Sequence, residues 1–208
     1  MKIVKIAKKN DNTIIVFLDN NEKLFLSYEI FLKNGLKKDD EISESRFSFL
    51  IRENQKYFIK QRAYNFLSRR SHSQFELINK LKQKGYDSDL IIPIIEELKE
   101  NKYLDDLEFS REFTSENIRR KRWGMYKVKS ELIKRHIDRD IISVVLAENF
   151  NPENEFENAL ALGAKKLKLL AVKPLAKEKI EQKLYSYLST KGFDFEVIQK
   201  VINSLLDE

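Results

Sequence analysis

One seven-residue pattern occurs three times in this 208-residue chain, and it restricts the possible folds more than any other feature. Gly85-Tyr86-Asp87-Ser88-Asp89-Leu90-Ile91 lines up with His136-Ile137-Asp138-Arg139-Asp140-Ile141-Ile142 and with Gly192-Phe193-Asp194-Phe195-Glu196-Val197-Ile198. The match extends both ways. Leu81, Leu132 and Leu188 stand four residues before the first position, and Ile94-Ile95, Val145-Leu146 and Val201-Ile202 follow at equal distance. Each element has a physical reading. A glycine after a helix takes the left-handed conformation that closes it, and the apolar residue behind it packs back onto the helix. The Asp then caps the next helix, and the following acid favours its N-terminus. Each pattern is therefore a helix, a tight turn and a second helix. A further helix precedes each pair, at Tyr64 to Arg70, Asp106 to Arg120 and Phe156 to Leu170. The expected unit is three helices, repeated three times. His136 stands where the other two copies have Gly, so that turn is made by a less permissive residue. Pro93 lies inside a helical pattern and is expected to kink or offset it.

The first fifty residues read differently. Ile3, Val4 and Ile6, then Thr13 to Leu18, then Leu24 to Leu26 are short apolar runs separated by Asn/Asp clusters. They predict a three-stranded meander, which needs a helix against its face. Tyr28 to Lys33 can supply one, stopped at Asn34-Gly35. A partly polar connector helix is expected near residues 43–70. The fold class is thus mainly α, with a small N-terminal β segment and a short helix. The expected boundaries are 1–50 for the β segment, 51–105 for the connector and first repeat, 106–152 for the second and 153–208 for the third. Stacked units that touch mainly their neighbours are expected to form an elongated monomer.

The composition excludes several kinds of chemistry. With no cysteine and two distant histidines, thiolate nucleophiles, iron–sulfur clusters and the usual zinc sites are ruled out. No apolar run approaches the ~20 residues of a membrane span, and the Lys-studded N-terminus lacks a signal-peptide block. A cytoplasmic protein without a cofactor or membrane contact is expected. His136 occupies a turn and Asp138 a cap, so they are not an acid–base pair. Asp105-Asp106 reads as a helix cap, since two adjacent acids are too few to hold a metal.

Charge is concentrated in one place. The chain carries +6, but residues 117–135 alone carry +7: Arg119, Arg120, Lys121, Arg122, Lys127, Lys129, Lys134 and Arg135 against Glu131. Trp123 and Tyr126 lie among them. Arg forks bind phosphate or carboxylate in bidentate fashion, and an aromatic can stack on a base or anchor an interface. This stretch, Trp123 included, is the candidate contact surface for a protein partner or DNA. Trp123, outside any apolar run, is expected partly exposed at a helix end beside the Arg cluster. Arg69-Arg70 is a smaller version, open to two readings: contact residues, or cations offsetting a helix dipole. Lys165, Lys166, Lys168, Lys173, Lys177 and Lys179, offset by Glu153, Glu155, Glu157 and Glu178, read as a solvated helix face.

These residues resemble the RecX family of recombinase regulators. The first stretch carries Ala63-x-x-x-Leu67-x-x-Arg70, then Ser73-x-x-Glu76-Leu77 and Lys80-Leu81. The second is Tyr103-Leu104-Asp105-Asp106 continuing through Phe109 and Arg111 to Phe113. The third is Arg119-Arg120-Lys121-Arg122-Trp123-Gly124 followed by Glu131-Leu132. The resemblance runs from about residue 61 to the C-terminus, and the β segment resembles an extension found in some members. It implies tandem three-helix repeats in an elongated, curved protein that is not an enzyme. It also implies an activity: binding the RecA–DNA filament, inhibiting its ATPase and strand exchange, and so modulating recombination and repair. The alternative is a free-standing helical nucleic-acid-binding protein. The first reading expects weak DNA binding outside the filament, the second tight binding to naked DNA with a steep salt slope.

Overall fold

In the computed structural model the described residues are 1–172 and 175–206. They contain three strands, β1 (Ile3–Asn10), β2 (Thr13–Leu18) and β3 (Lys23–Ser27), and ten helices. The helices are α1 (Tyr28–Lys33), α2 (Glu44–Leu67), α3 (Gln74–Lys82), α4 (Ser88–Glu100), α5 (Asp106–Lys121), α6 (Met125–Lys134), α7 (Arg139–Asn149), α8 (Pro152–Leu170), α9 (Lys177–Lys191) and α10 (Phe195–Leu206). The chain divides into two compact units, residues 1–71 with 77–104 and residues 72–76 with 105–208.

In the first unit the strands form the expected antiparallel meander, in the order β1-β2-β3. Its inner face buries Ile3, Ile14, Val16, Leu18, Leu24 and Leu26 against Ile30 of α1 and Leu50 of α2. Ser27 caps α1 by accepting from the Ile30 amide at 3.2 Å, and Asn54 ties α2 to β3, accepting from the Ser27 amide at 2.7 Å and donating to the Phe25 carbonyl at 2.8 Å. Farther along α2, Ile59 and Ala63 are buried in a second cluster with Leu77, Leu81, Leu90, Ile91, Ile94, Ile95 and Leu98. At ~100° per residue, Leu50 and Ile59 point from opposite sides of the helix. So α2 serves the sheet core with one face and the helical core with the other. That is why its sequence shows no single apolar stripe. Pro93 falls within α4, and the helix continues through it to Glu100.

The three repeated turns share one geometry. Gly85, His136 and Gly192 have φ of 84°, 54° and 94°. The next residue's amide (Tyr86, Ile137 or Phe193) donates back to the carbonyl of Leu81, Leu132 or Leu188, each fully buried. This is the helix-closing arrangement expected from the pattern. The capping expectation holds for two copies: Asp138 accepts from Asp140 N at 2.8 Å and Asp194 from Val197 N at 2.7 Å. The Asp87 side chain makes no capping bond; only its carbonyl closes the first turn of α4.

The second unit contains two cores. Phe109, Val128, Leu132, Ile137 and Ile142 make the first, from α5 to α7. Ala159, Leu184, Leu188, Phe193, Val197, Ile198, Val201 and Ile202 make the second, from α8 to α10. The joint between them brings two glycines together. The Gly124 amide donates to the Lys191 carbonyl at 2.9 Å and the Tyr126 amide to the Gly192 carbonyl at 3.0 Å. A carboxylate completes it: Glu155, at the start of α8, accepts from the Met125 amide at 2.8 Å. The same construction recurs at the start of α3. There Ser73 Oγ donates to the Arg135 carbonyl at 3.3 Å, and Asp106 accepts from the Gln74 amide at 2.8 Å. In this copy the turn residue is His136, whose ring stacks on Phe75 with centroids 3.8 Å apart. That contact gives a residue with a side chain a place at the left-handed position.

Candidate functional site

The residues from Arg119 to Arg135 run from the last turn of α5 through α6. Arg122 ends α5 in the left-handed conformation, φ 50°, and its Nη1 donates to Asn158 Oδ1 at 2.8 Å. Trp123 follows, half-buried against the α5–α7 core. It packs at 6.2 Å from the Phe113 ring and is bracketed by two ammonium groups, Lys121 at 4.5 Å and Lys127 at 5.5 Å from its centroid. The indole therefore has two roles. It packs against the core, contrary to the expectation from its apolar-poor surroundings, and it stays partly exposed at the helix end as expected. The cations over its ring are lysines, Lys121 and Lys127.

The eight cations are not equivalent. Glu131 lies at 3.2 Å from Lys127, 3.0 Å from Lys134 and 2.9 Å from Arg135. Arg135 also lies 3.2 Å from Glu76, donates to the Glu131 carbonyl at 2.7 Å and places its guanidinium 4.5 Å from the centre of the Phe113 ring. Its charge is committed within the fold. Arg119, Arg120, Lys121 and Lys129 face solvent. Arg120 pairs with Glu116 at 2.8 Å, one helical turn away, an exposed contact that solvent largely screens. Arg119 and Lys129 make no side-chain hydrogen bond or ion pair among the described residues. Arg119, Arg120 and Lys121 thus stand exposed together at the end of α5, with Lys121 over the Trp123 ring, and Lys129 is exposed on α6. Arg69 and Arg70 fall just beyond α2 rather than inside a helix, both exposed, with Arg70 Nη1 donating to the Ser71 carbonyl at 2.6 Å.

Burial pushes the Glu131 carboxyl up, but hydrogen bonds from Arg135, Lys134 and Lys127 outweigh it and hold the group at about 2. A carboxyl held below its unfolded value of about 4.5 adds stability above that value and loses it as pH falls toward 2. We expect Glu131→Gln to cost about 1–3 kcal/mol near neutral pH, since it leaves partly buried cations short of their partner. The gap between variant and parent should close as pH falls from about 4.5 to 2. Urea midpoints at a series of pH values measure it; a gap independent of pH would mean that the cluster contributes nothing through its charge.

Two carboxylates in the joints carry no obvious signal in the sequence. The cap expected of the Asp105-Asp106 pair is made by Asp105 alone, which accepts from the Leu107 and Glu108 amides at 2.8 and 3.1 Å. Asp106 instead reaches the Gln74 amide. Glu155, expected on a solvated face, is 8% exposed; burial and then nearby Asp194 raise its carboxyl, with the Met125 amide acting in the opposite sense. Of the third basic run, Lys165 and Lys168 are exposed and Lys166 lies 5.4 Å from the Tyr187 ring centre; Lys173 lies outside the described residues. No group of three or more His, Asp or Glu side chains that could hold a metal occurs among the described residues. None of their helices is long and apolar enough to cross a membrane.

The chain matches three family descriptions in order: RecX first three-helix domain at residues 60–98, second at 105–146 and third at 153–202. It is 30% identical to the regulatory protein RecX of Clostridioides difficile (strain 630) over 98% of this chain and 94% of that one. It is also 30% identical to that of Clostridium beijerinckii, over 99% and 95%. A crystal structure of a regulatory protein RecX superposes with a TM-score of 0.74 at 23% identity, covering 96% of this chain and 98% of the other. RecX from Lactobacillus salivarius gives 0.63 at 22% identity, over 74% and 97%. The three-helix repeats, their shared turns and the relatives that span nearly the whole length agree: the chain belongs to the RecX family of regulatory proteins.

Proposed function

We propose that this protein is a non-enzymatic regulator of the RecA recombinase. It works in the cytoplasm as a monomer, binding the RecA–DNA filament and lowering its ATP hydrolysis and strand exchange. Family membership supports this reading. The observation that carries it is the exposed cationic end of α5: Arg119, Arg120 and Lys121 beside the half-buried Trp123. Arginine and tryptophan recur among the few residues that dominate interface energy. The cations can face acidic protein surface or phosphate, and a filament offers both. Arg69, Arg70, Lys127, Lys129 and Lys134 would add weaker, longer-range attraction, and repeated modest contacts sum through avidity.

The same exposed cations would suit a free-standing DNA-binding protein, so the two readings need a direct comparison. Anisotropy with labelled single-stranded DNA, with and without assembled RecA, provides it. We expect binding to the filament at least about tenfold tighter than to the same DNA alone at about 150 mM salt. Equal affinities, with a steep fall as salt rises, would favour the DNA-binding reading instead.

A further inference from the structure

The outward face of the N-terminal sheet takes no part in the core of its unit. Strand alternation turns Ile14, Val16, Leu24 and Leu26 inward. The register then sets two cross-strand rows on the other side: Lys5–Phe17–Lys23 and Ala7–Ile15–Phe25. An irregularity between Lys8 and Asn10 leaves Lys9 free of pairing, and its ammonium group reaches to 5.1 Å from the centre of the Phe25 ring. Lys5 and Lys23 hold theirs at 5.6 and 5.5 Å from that of Phe17. Phe25 is 45% exposed. Neither row contains an acid. The nearest carboxylates in sequence are in the hairpin turns, where Asp11 pairs with Lys8 at 2.8 Å and Glu22 bonds to Asn20 at 2.9 Å.

We propose that this face binds single-stranded nucleic acid. Phe17 and Phe25 stack on neighbouring bases, and Lys5, Lys9 and Lys23 meet the phosphates. The chemistry fits on both counts. Three cations without a counter-charge on their face complement a polyanion. Aromatic rings on an open sheet give every base a π surface whatever its sequence. Phe17 and Phe25 are diagonal neighbours on adjacent strands, about 7–8 Å apart, a gap that an unstacked strand can span from base to base. A duplex hides its base faces and could use only the lysines. An acidic peptide would likewise leave the rings unused.

This site lies in the other unit from the basic stretch of α5 and α6, so its failure would leave the regulator reading untouched. The test uses the full chain and a labelled 15-nucleotide oligodeoxythymidine. Lys5→Gln with Lys9→Gln and Lys23→Gln should weaken binding about tenfold and reduce the salt slope by about 2, since each phosphate contact on a single strand contributes ~0.7. Phe25→Leu keeps the apolar bulk and removes the ring. It should weaken binding several-fold with the salt slope and the melting temperature unchanged. On the unaltered protein, an iododeoxyuridine oligonucleotide should photo-crosslink to peptides carrying Phe17 or Phe25. Three results would each overturn the proposal: crosslinks confined to residues 119–135, variants that bind like the parent, or competition by polyglutamate as effective as that by unlabelled oligonucleotide.

Discussion

Replacing Gly192 by Ala should cost about 3–5 kcal/mol and lower the melting temperature by about 10 °C or more. Two effects combine. At φ 94° any side chain is strained, by roughly 1–2 kcal/mol. The larger effect is space: a Cβ at this position would lie 2.2 Å from the Lys127 amide nitrogen and 2.4 Å from Lys127 Cβ. Backbone cannot swing aside as a flexible side chain does, so the joint between the two cores must open. Opening it strains the bonds from the Gly124 and Tyr126 amides and from Met125 to Glu155. A loss of that size is a large part of the ~5–15 kcal/mol that holds a typical domain folded. Gly85 is the internal control. It occupies the equivalent turn at φ 84°, but nothing lies within 4 Å of a Cβ there. Gly85→Ala should therefore cost only the conformational strain. Thermal melts of the two variants make the comparison; similar, small shifts would show that the Gly124–Gly192 approach is not a tight joint.

Much of this fold can be read from the residues. The buried leucines before each turn and the capping Asp residues after two of them are local signals, and local signals survive in sequence. The sheet is legible for the same reason, through Asn/Asp turns between β-branched runs. The joints are not. Asp106 and Glu155 act on amides 32 and 30 residues away, and nothing in their neighbourhoods distinguishes them from ordinary first-turn acids. The contact surface is legible in outline only. Counting charge along residues 117–135 finds the basic stretch but treats its members alike. The spacing Lys127–Glu131–Arg135 is a usable clue, since residues four apart share a helix face. The ion pair of Arg135 with Glu76, far away in sequence, has no such signal. Trp123 is more buried than its neighbours in sequence imply, because its core packing comes from Phe113, ten positions earlier on α5.

The second large effect expected lies at the exposed cations of α5. Replacing Arg119, Arg120 and Lys121 together by Ala removes the exposed end of α5 and leaves Arg122, Trp123, the Glu131 cluster and Arg135 in place. The melting temperature should barely change, because the replacement removes only one exposed ion pair and one exposed cation–π interaction. Binding should suffer far more. Interface arginines often contribute about 2 kcal/mol or more, and about 1.4 kcal/mol is already a factor of ten. Arg135→Ala is the contrasting change, expected to destabilise the fold itself because it strips a half-buried hub of two carboxylates and an aromatic face.

The decisive measurement is the ATPase of the cognate RecA on single-stranded DNA, with this protein titrated in. The parent should inhibit at concentrations well below that of the recombinase, and the Arg119/Arg120/Lys121 variant should require at least about tenfold more. Undiminished ATP hydrolysis at equimolar parent protein would contradict the regulator reading, and a folded variant as potent as the parent would contradict the surface assigned to it.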